Sequence, residues 1–229
     1  MPAKRSKQAV TYTVKMLCQL ALCALTFFLA AGRWYVPRGI VYFAVYLIIS
    51  VIGNAFLLRC NSETLAARER VAPNTKCWDT VFLFMYVPLA YFGIYIAAGL
   101  PLRIGDTYPP VTLYWIGICM MVSASFLTVW AVHVNRHFES SVRIQRDRHH
   151  VVCSTGPYAI VRHPGYTSII VWAVAMPLMF GWHAGIVSIA IIVLITIRTM
   201  LEDAVLQREL HGYKEYSEKV PYRLFFLVW

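Results

Sequence analysis

Two stretches of this sequence hold side chains able to do chemistry, and a long apolar run separates them. The first ends in Gly156-Pro157-Tyr158 and Arg162-His163-Pro164-Gly165-Tyr166. The second opens with Arg198, Glu202 and Asp203 and continues to Gly212-Tyr213-Lys214-Glu215-Tyr216. Pro164 suits the first turn of a helix and disfavours helix at His163, which places Arg162 and His163 at a helix N-terminus. That end attracts anions through its free N–H groups, and an arginine adds a fixed charge and a fork matched to a carboxylate. The position suits an interfacial arginine snorkelling to headgroups equally well. Arg198 and Glu202 are i,i+4 neighbours in the order less favourable for simple helix support, so a functional role stands beside that of a solvated ion pair. His133 and His137 also have i,i+4 spacing, but lack the carboxylate or cysteine of an HExxH-like pattern, so no metal site is expected. His149-His150 read as hydrogen-bonding residues before the Gly-Pro break. No phosphate-cradling GxxxxGK[ST] occurs and no GxGxxG follows a strand, so a cofactor would have to sit in the fold itself.

These side chains must be positioned by helices in a membrane. Of 229 residues only 14% are charged, against roughly 25% in soluble domains, while 59% are apolar and the mean hydropathy is +0.58. Disordered, secreted disulfide-framed and ordinary soluble enzyme classes are thereby excluded. Residues 16–32, 39–58, 80–102 and 107–135 are uncharged runs near the ~20 residues that a spanning helix needs. The run 164–197 is too long for one span. Gly181-Trp182-His183-Ala184-Gly185 supplies a turn, which makes it a hairpin of two short helices. The fold class is all-α and multi-pass, with five to six membrane segments ending in that helical hairpin. If the hairpin folds back, the two polar clusters meet at its mouth.

The +10 charge has a topological reading. Lys4, Arg5, Lys7 and Lys15 precede the first segment; Arg59, Arg68, Arg70 and Lys76 follow the second; Arg136, Arg143, Arg146, Arg148 and Arg162 follow the fourth; Arg198, Arg208, Lys214, Lys219 and Arg223 lie on the tail. Only Arg33, Arg38 and Arg103 fall on the other side, so both termini are expected to be cytoplasmic. Nucleic-acid binding loses its main support, and membrane lipids become the expected partners. The basic, then apolar N-terminus imitates a signal peptide, but the longer run reads as a retained first helix. Of the six cysteines, Cys18, Cys23 and Cys119 lie in apolar segments; Cys60, Cys77 and Cys153 lie on the reducing side, and neither zinc nor a disulfide frame is expected.

The ordered set Arg143–His150, Gly156-Pro157-Tyr158, Arg162-His163-Pro164-Gly165-Tyr166, Arg198–Asp203, Glu209–Tyr216 and Val220-Pro221-Tyr222-Arg223-Leu224 resembles the isoprenylcysteine carboxyl methyltransferase family over residues 135–224. Asn61-Ser62-Glu63-Thr64-Leu65 with Lys76-Cys77-Trp78-Asp79 resembles its bacterial-type branch. The resemblance implies S-adenosylmethionine as cofactor, no metal, and a lipid-like or prenylated acceptor entering from the bilayer. It implies a cofactor pocket at the cytoplasmic mouth of the C-terminal hairpin, made by His150, Gly156, Tyr158, Arg162, His163, Pro164, Tyr166, Glu202 and Asp203. Arg198 and Glu202 match an Arg-x-x-x-Glu pair expected at the reacting centre. The expected division is residues 1–134 as N-terminal transmembrane helices and 135–229 as the methyltransferase module. Asp203 replaces a usual Glu, Ser168 a usual glycine and Phe226 a usual proline. Methyl transfer to a carboxylate needs no general base; a phospholipid amine acceptor would need one, from Glu202 or a histidine. An NADPH-dependent sterol-type reductase and a non-enzymatic scaffold or transporter are the rival readings. The membrane is a bacterial inner membrane or the endoplasmic reticulum.

Overall fold

The computed structural model describes residues 2–68 and 74–229, with side chains from residue 7 onward. Arg70 and the side chains of Lys4 and Arg5 therefore lie outside the described residues. Among the described residues the α-helices are α1 Pro2–Ala31, α2 Pro37–Cys60, the short α3 Ser62–Ala67, α4 Cys77–Pro88, α5 Ile94–Arg103, α6 Val111–Val134, α7 Pro164–Phe180, α8 Trp182–Glu209 and α9 Tyr213–Lys219, with a long irregular connection between α6 and α7. Five helical stretches are long and apolar enough to cross a membrane, and α7 is a shorter apolar helix. The architecture is that of a multi-pass bundle. Its flanks carry exposed apolar side chains such as Ile48, Phe84, Phe126 and Ile189.

Three expectations change in detail. The third span is two α-helices, α4 and α5, joined by a π turn at Leu89–Gly93 just after Pro88. Proline removes a backbone donor and crowds the preceding turn, which widens the helix there. The break in the last apolar run shrinks to Gly181 alone, whose φ of 93° only glycine adopts easily. Once Gly181 has turned the chain, Trp182 onward is free to be helical, and Gly185 lies inside α8. Finally, α8 is not short. Its 28 residues span about 42 Å, more than the ~30 Å hydrocarbon layer. Arg198, Glu202 and Asp203 thus lie inside a helix that continues past the apolar layer, rather than at its end.

The helices pack through small residues and aromatic rings. A Cβ at Gly99 would fall 2.5 Å from the Phe27 carbonyl oxygen, so α5 can approach α1 this closely only with glycine there. Phe27, Phe43, Tyr42, Tyr95 and Phe180 form one buried aromatic cluster, with Phe27 and Phe180 ring centres 5.3 Å apart. The Tyr42 and Tyr95 hydroxyls lie 3.2 Å apart, and the Trp172 indole N–H donates to Tyr42 at 3.1 Å.

Charge segregates to the two ends of the bundle. At one end Arg33 donates to the Leu102 carbonyl at 2.7 Å, and the Arg38 guanidinium lies over the Tyr108 and Tyr114 rings. At the other, Asn61 donates to the Val132 carbonyl at 2.9 Å, and Lys76 pairs with Glu209 at 2.6 Å. The polar clusters singled out from the sequence gather at this second end.

Candidate functional site

The segment before α7 is pinned to the C-terminal tail. The Arg162 and His163 backbone N–H groups donate to the Tyr222 and Arg223 carbonyls, each at 2.9 Å. The proline ring of Pro164 then opens α7. Arg162 is 5% exposed and Asp203 is 1% exposed. Arg162 grips the Asp203 carboxylate with two parallel bonds, Nε–H to Oδ1 and Nη2–H to Oδ2, both 2.9 Å. Its Nη1 donates to the Val220 and Pro221 carbonyls at 2.7 and 2.9 Å. Asp203 also accepts from the Tyr213 hydroxyl, Gln207 and Arg223 at 2.9, 2.9 and 3.0 Å, and lies 3.2 Å from His163 Nε2. Burial alone would pull the Arg162 pKa down; the adjacent Asp203 carboxylate outweighs it and holds it up. A buried ion pair satisfied on every side is a brace, because removing one partner strands the other charge.

A second buried pair was not foreseen. Arg198 donates from Nε and Nη2 to the two carboxylate oxygens of Asp79, at 2.7 and 3.2 Å, and from Nη2 to the Ser140 carbonyl at 2.9 Å. Asp79, in the first turn of α4, is fully buried and also accepts the Val142 N–H at 2.8 Å. Glu202 accepts from the Tyr166 hydroxyl instead of from Arg198, and the Arg198 guanidinium lies 5.3 Å from the Tyr166 ring centre. Asp79 was quoted from the sequence within Lys76-Cys77-Trp78-Asp79, but nothing there assigned it a partner.

The connection from α6 to α7 folds over this end. Glu139 takes two bonds from Arg143, at 2.8 and 2.9 Å. Gln145, 2% exposed, donates to the His137 carbonyl at 2.6 Å and accepts from Arg148 at 3.0 Å. The His150 ring lies against the His137 ring, 4.6 Å between centres. Burial pushes the His150 pKa down to about 4, reinforced by His137, Arg143 and Arg148. His137 is lowered too, chiefly by burial, and its Nδ1 lies 3.2 Å from Gln145 Oε1. His133 packs on Phe56. Among the described residues no group of three His, Cys, Asp or Glu side chains could hold a metal ion. Gly156 turns the chain at φ 59°, and a Cβ there would meet the Trp130 indole at 3.0 Å. The Tyr158 carbonyl accepts the Tyr216 hydroxyl at 2.6 Å.

All of this surrounds one cavity of about 570 Å³, within the range of small-molecule sites. His150, Tyr158, Arg162, His163, Tyr166, Arg198 and Glu202 line it. Gly156, Pro164 and Asp203 are not in its wall; they shape the turn, start α7 and hold Arg162. The cavity continues into the first half of the chain, between Tyr12, Gln19, Cys23, Tyr46, Arg68, Tyr86, Tyr91 and Tyr95. Its α1 wall from Tyr12 to Cys23 runs about 16 Å along the helix. These tyrosines were missed because a hydroxyl inside an apolar run does not say which way it points.

Comparison with known proteins finds similarity over the part of the chain that carries α6, α7 and most of α8. Residues 115–208 match the isoprenylcysteine carboxyl methyltransferase family. This range begins in α6 and ends in α8, so it holds Arg162, Arg198, Glu202 and Asp203 but stops before the tail that braces them. The chain is 26% identical to protein-S-isoprenylcysteine O-methyltransferase B of Arabidopsis thaliana over 122 residues, which cover 50% of this chain and 62% of that protein. It is 28% identical to a probable protein-S-isoprenylcysteine O-methyltransferase of Oryza sativa subsp. indica over 125 residues, 52% of this chain and 56% of that one. With the Schizosaccharomyces pombe protein-S-isoprenylcysteine O-methyltransferase it shares 27% identity over 93 residues, 39% of each. The chain thus spans less than two thirds of each of these relatives. The solved structure of a eukaryotic intramembrane Ras methyltransferase aligns over 94% of this chain and 95% of that one, at 18% identity and a TM-score of 0.44, a likeness too loose to bear on the site. The expected bacterial-type branch is corrected by these matches: the relatives are plant and fission-yeast proteins. Short strings such as Asn61–Leu65 are too small a sample to separate branches.

Proposed function

We propose that this chain is an integral membrane methyltransferase that moves a methyl group from S-adenosylmethionine to the carboxylate of a lipid-like acceptor, an isoprenylcysteine or a similar amphiphile. The observation that carries this reading is the single cavity joining the polar cluster of α7, α8 and their flanking loops to a tyrosine-lined interior. One end offers charge and hydrogen bonds; the other offers ring faces and apolar stems to a hydrocarbon chain. The similarity of residues 115–208 to the family supports it independently.

The residues fit the cofactor. Glu202, held by Tyr166, offers a carboxylate to an ammonium, and His150, Tyr158, His163 and Tyr166 offer ring faces and polar atoms. Gly156 and Pro164 shape this pocket, and Arg162 with Asp203 keeps the tail folded against it. When bound, the cofactor supplies an electrophilic methyl on a sulfonium. The acceptor carboxylate is ionised at neutral pH, so the protein need not take a proton. Its work is alignment and exclusion of water. Arg198, fixed by Asp79, sets a positive potential beside the acceptor, and Glu202 with Tyr166 sets its orientation. Residues 1–134 form the acceptor side and 135–229 the methyl-transfer module. The basic end of the bundle is its cytoplasmic side, which puts both termini and the mouth of the α7–α8 hairpin there, in a bacterial inner membrane or the endoplasmic reticulum.

Purified protein in detergent, given methyl-labelled S-adenosylmethionine with a farnesylcysteine acid or a membrane lipid extract, should yield a base-labile labelled ester. Folded protein that binds no S-adenosylmethionine by calorimetry, or that labels only amines, overturns the proposal.

A further inference from the structure

Four arginines lie along the cavity: Arg68, Arg143, Arg162 and Arg198. Three are matched by acids, Arg143 by Glu139 and Asp147, Arg162 by Asp203 and Arg198 by Asp79. Arg68 is different. Its Nη1 is buried without any hydrogen-bond partner, and among the described residues no carboxylate lies within ion-pair distance of it. A buried guanidinium N–H left unsatisfied costs free energy unless a ligand takes it.

Arg68 is nonetheless held firmly. Its guanidinium carbon lies 4.8 Å from the Phe138 ring centre and 5.5 Å from that of Tyr12. Its Nε–H donates to the Tyr12 hydroxyl oxygen at 2.9 Å. The Tyr12 oxygen therefore accepts from Arg68, and its own O–H remains free to donate. Both residues line the cavity, and a guanidinium N–H beside a phenol O–H is a donor set for one carboxylate.

We propose that Arg68 and Tyr12 form a carboxylate-binding site in the cavity wall, a role given by neither the family resemblance nor the two buried pairs. It rests on the methyltransferase reading, which brings two carboxylates to this cavity: that of the methyl acceptor and that of the amino-acid end of the cofactor. Both present the same chemistry to Arg68, and the experiment separates them.

Arg68→Met and Arg68→Lys are compared with the unaltered full chain in detergent. Direct binding is measured for farnesylcysteine acid and its methyl ester, and for S-adenosylhomocysteine and its decarboxylated analogue. Loss of a charge-assisted bond predicts about a tenfold or larger weakening in R68M. If the acceptor is the source, the acid weakens, the ester stays within twofold, and R68K restores part of the affinity. If the cofactor is the source, S-adenosylhomocysteine weakens and the decarboxylated analogue does not. Either result supports the site. Acid and ester moving together, with S-adenosylhomocysteine and its analogue doing the same, reveals a packing effect and overturns it, as does no change in any ligand. Should R68M fail to fold, Tyr12→Phe, which removes the second donor together with the acceptor of the Arg68 Nε–H, carries the same acid-against-ester comparison. Unaltered protein that is folded but binds no S-adenosylhomocysteine overturns the methyltransferase reading instead, and binding of the acid against its ester still decides Arg68.

Discussion

Two buried arginine–aspartate pairs stand at the same end of this molecule and serve different purposes. Arg162–Asp203 lies within the C-terminal part, and the remaining partners of the carboxylate are His163 just before α7 and side chains of α8, α9 and the tail. Arg198–Asp79 links α8 to α4, across 119 residues of sequence. In the first pair the aspartate is the hub and the arginine ties it to the tail carbonyls. In the second the aspartate anchors an arginine that meets Tyr166 and faces the cavity. Identical chemistry therefore gives a brace enclosed by the tail in one place and, under the proposed function, a positioned site charge in the other. What separates them is the company each aspartate keeps, not the pair itself.

The largest effect should come from breaking the brace. Asp203→Ala strands Arg162 and removes the acceptor for Tyr213, Gln207 and Arg223, and should cost about 3–5 kcal/mol. Thermal melting in detergent checks this, and Arg162→Ala should fall in the same range. Asp79→Asn keeps the shape of its side chain and an acceptor for the Val142 N–H, so a smaller loss of about 1–3 kcal/mol is expected. Methyl transfer should fall further than stability, because Arg198 loses its anchor. Equal losses of stability and turnover in the Asp203 and Asp79 variants would erase the distinction between the two pairs.

Tyr166→Phe tests the site side more finely. It removes the hydroxyl that Glu202 accepts while leaving the ring under Arg198. About a tenfold loss in turnover, with melting changed by no more than ~1 kcal/mol, is the expected outcome. A fall in stability as large as that of Asp203→Ala would make Tyr166 part of the brace.

The smallest effect is a pH dependence. The His150 pKa is depressed by burial to about 4, against about 6.5 for an unfolded histidine. Between these values the unfolded chain binds the proton and the folded chain does not. Stability contributed by neutral His150 is therefore present above pH ~6.5 and is lost as pH falls toward 4. His150→Gln should flatten the melting temperature over that window. An unchanged slope would show that other groups carry the acid sensitivity.

Much of the arrangement was legible before any coordinates. Uncharged runs of spanning length marked the membrane helices because water cannot satisfy a charge inside hydrocarbon. Gly181 marked the reversal, and the basic residues sorted to one end. Arg162, Arg198 and Glu202 were named from type and spacing and Tyr166 from the family resemblance, and all four line one cavity. Their partners were not legible. Glu202 was expected to serve Arg198, its i,i+4 neighbour, yet it meets Tyr166. Local spacing tells which side chains can touch along one helix and nothing about which neighbouring helix outbids them.

The sequence by itself determined a helical membrane protein with its chemistry concentrated at the ends of the last apolar run, since hydropathy and charge are properties of single residues and short windows. Tertiary structure alone decided that Asp79 would hold Arg198, that Asp203 would gather donors from the tail, and that Arg68, in the cavity wall, would be left with an unsatisfied N–H. Each of these depends on how helices distant in sequence pack together. Burial makes such pairings strong, and only packing determines which groups are buried together.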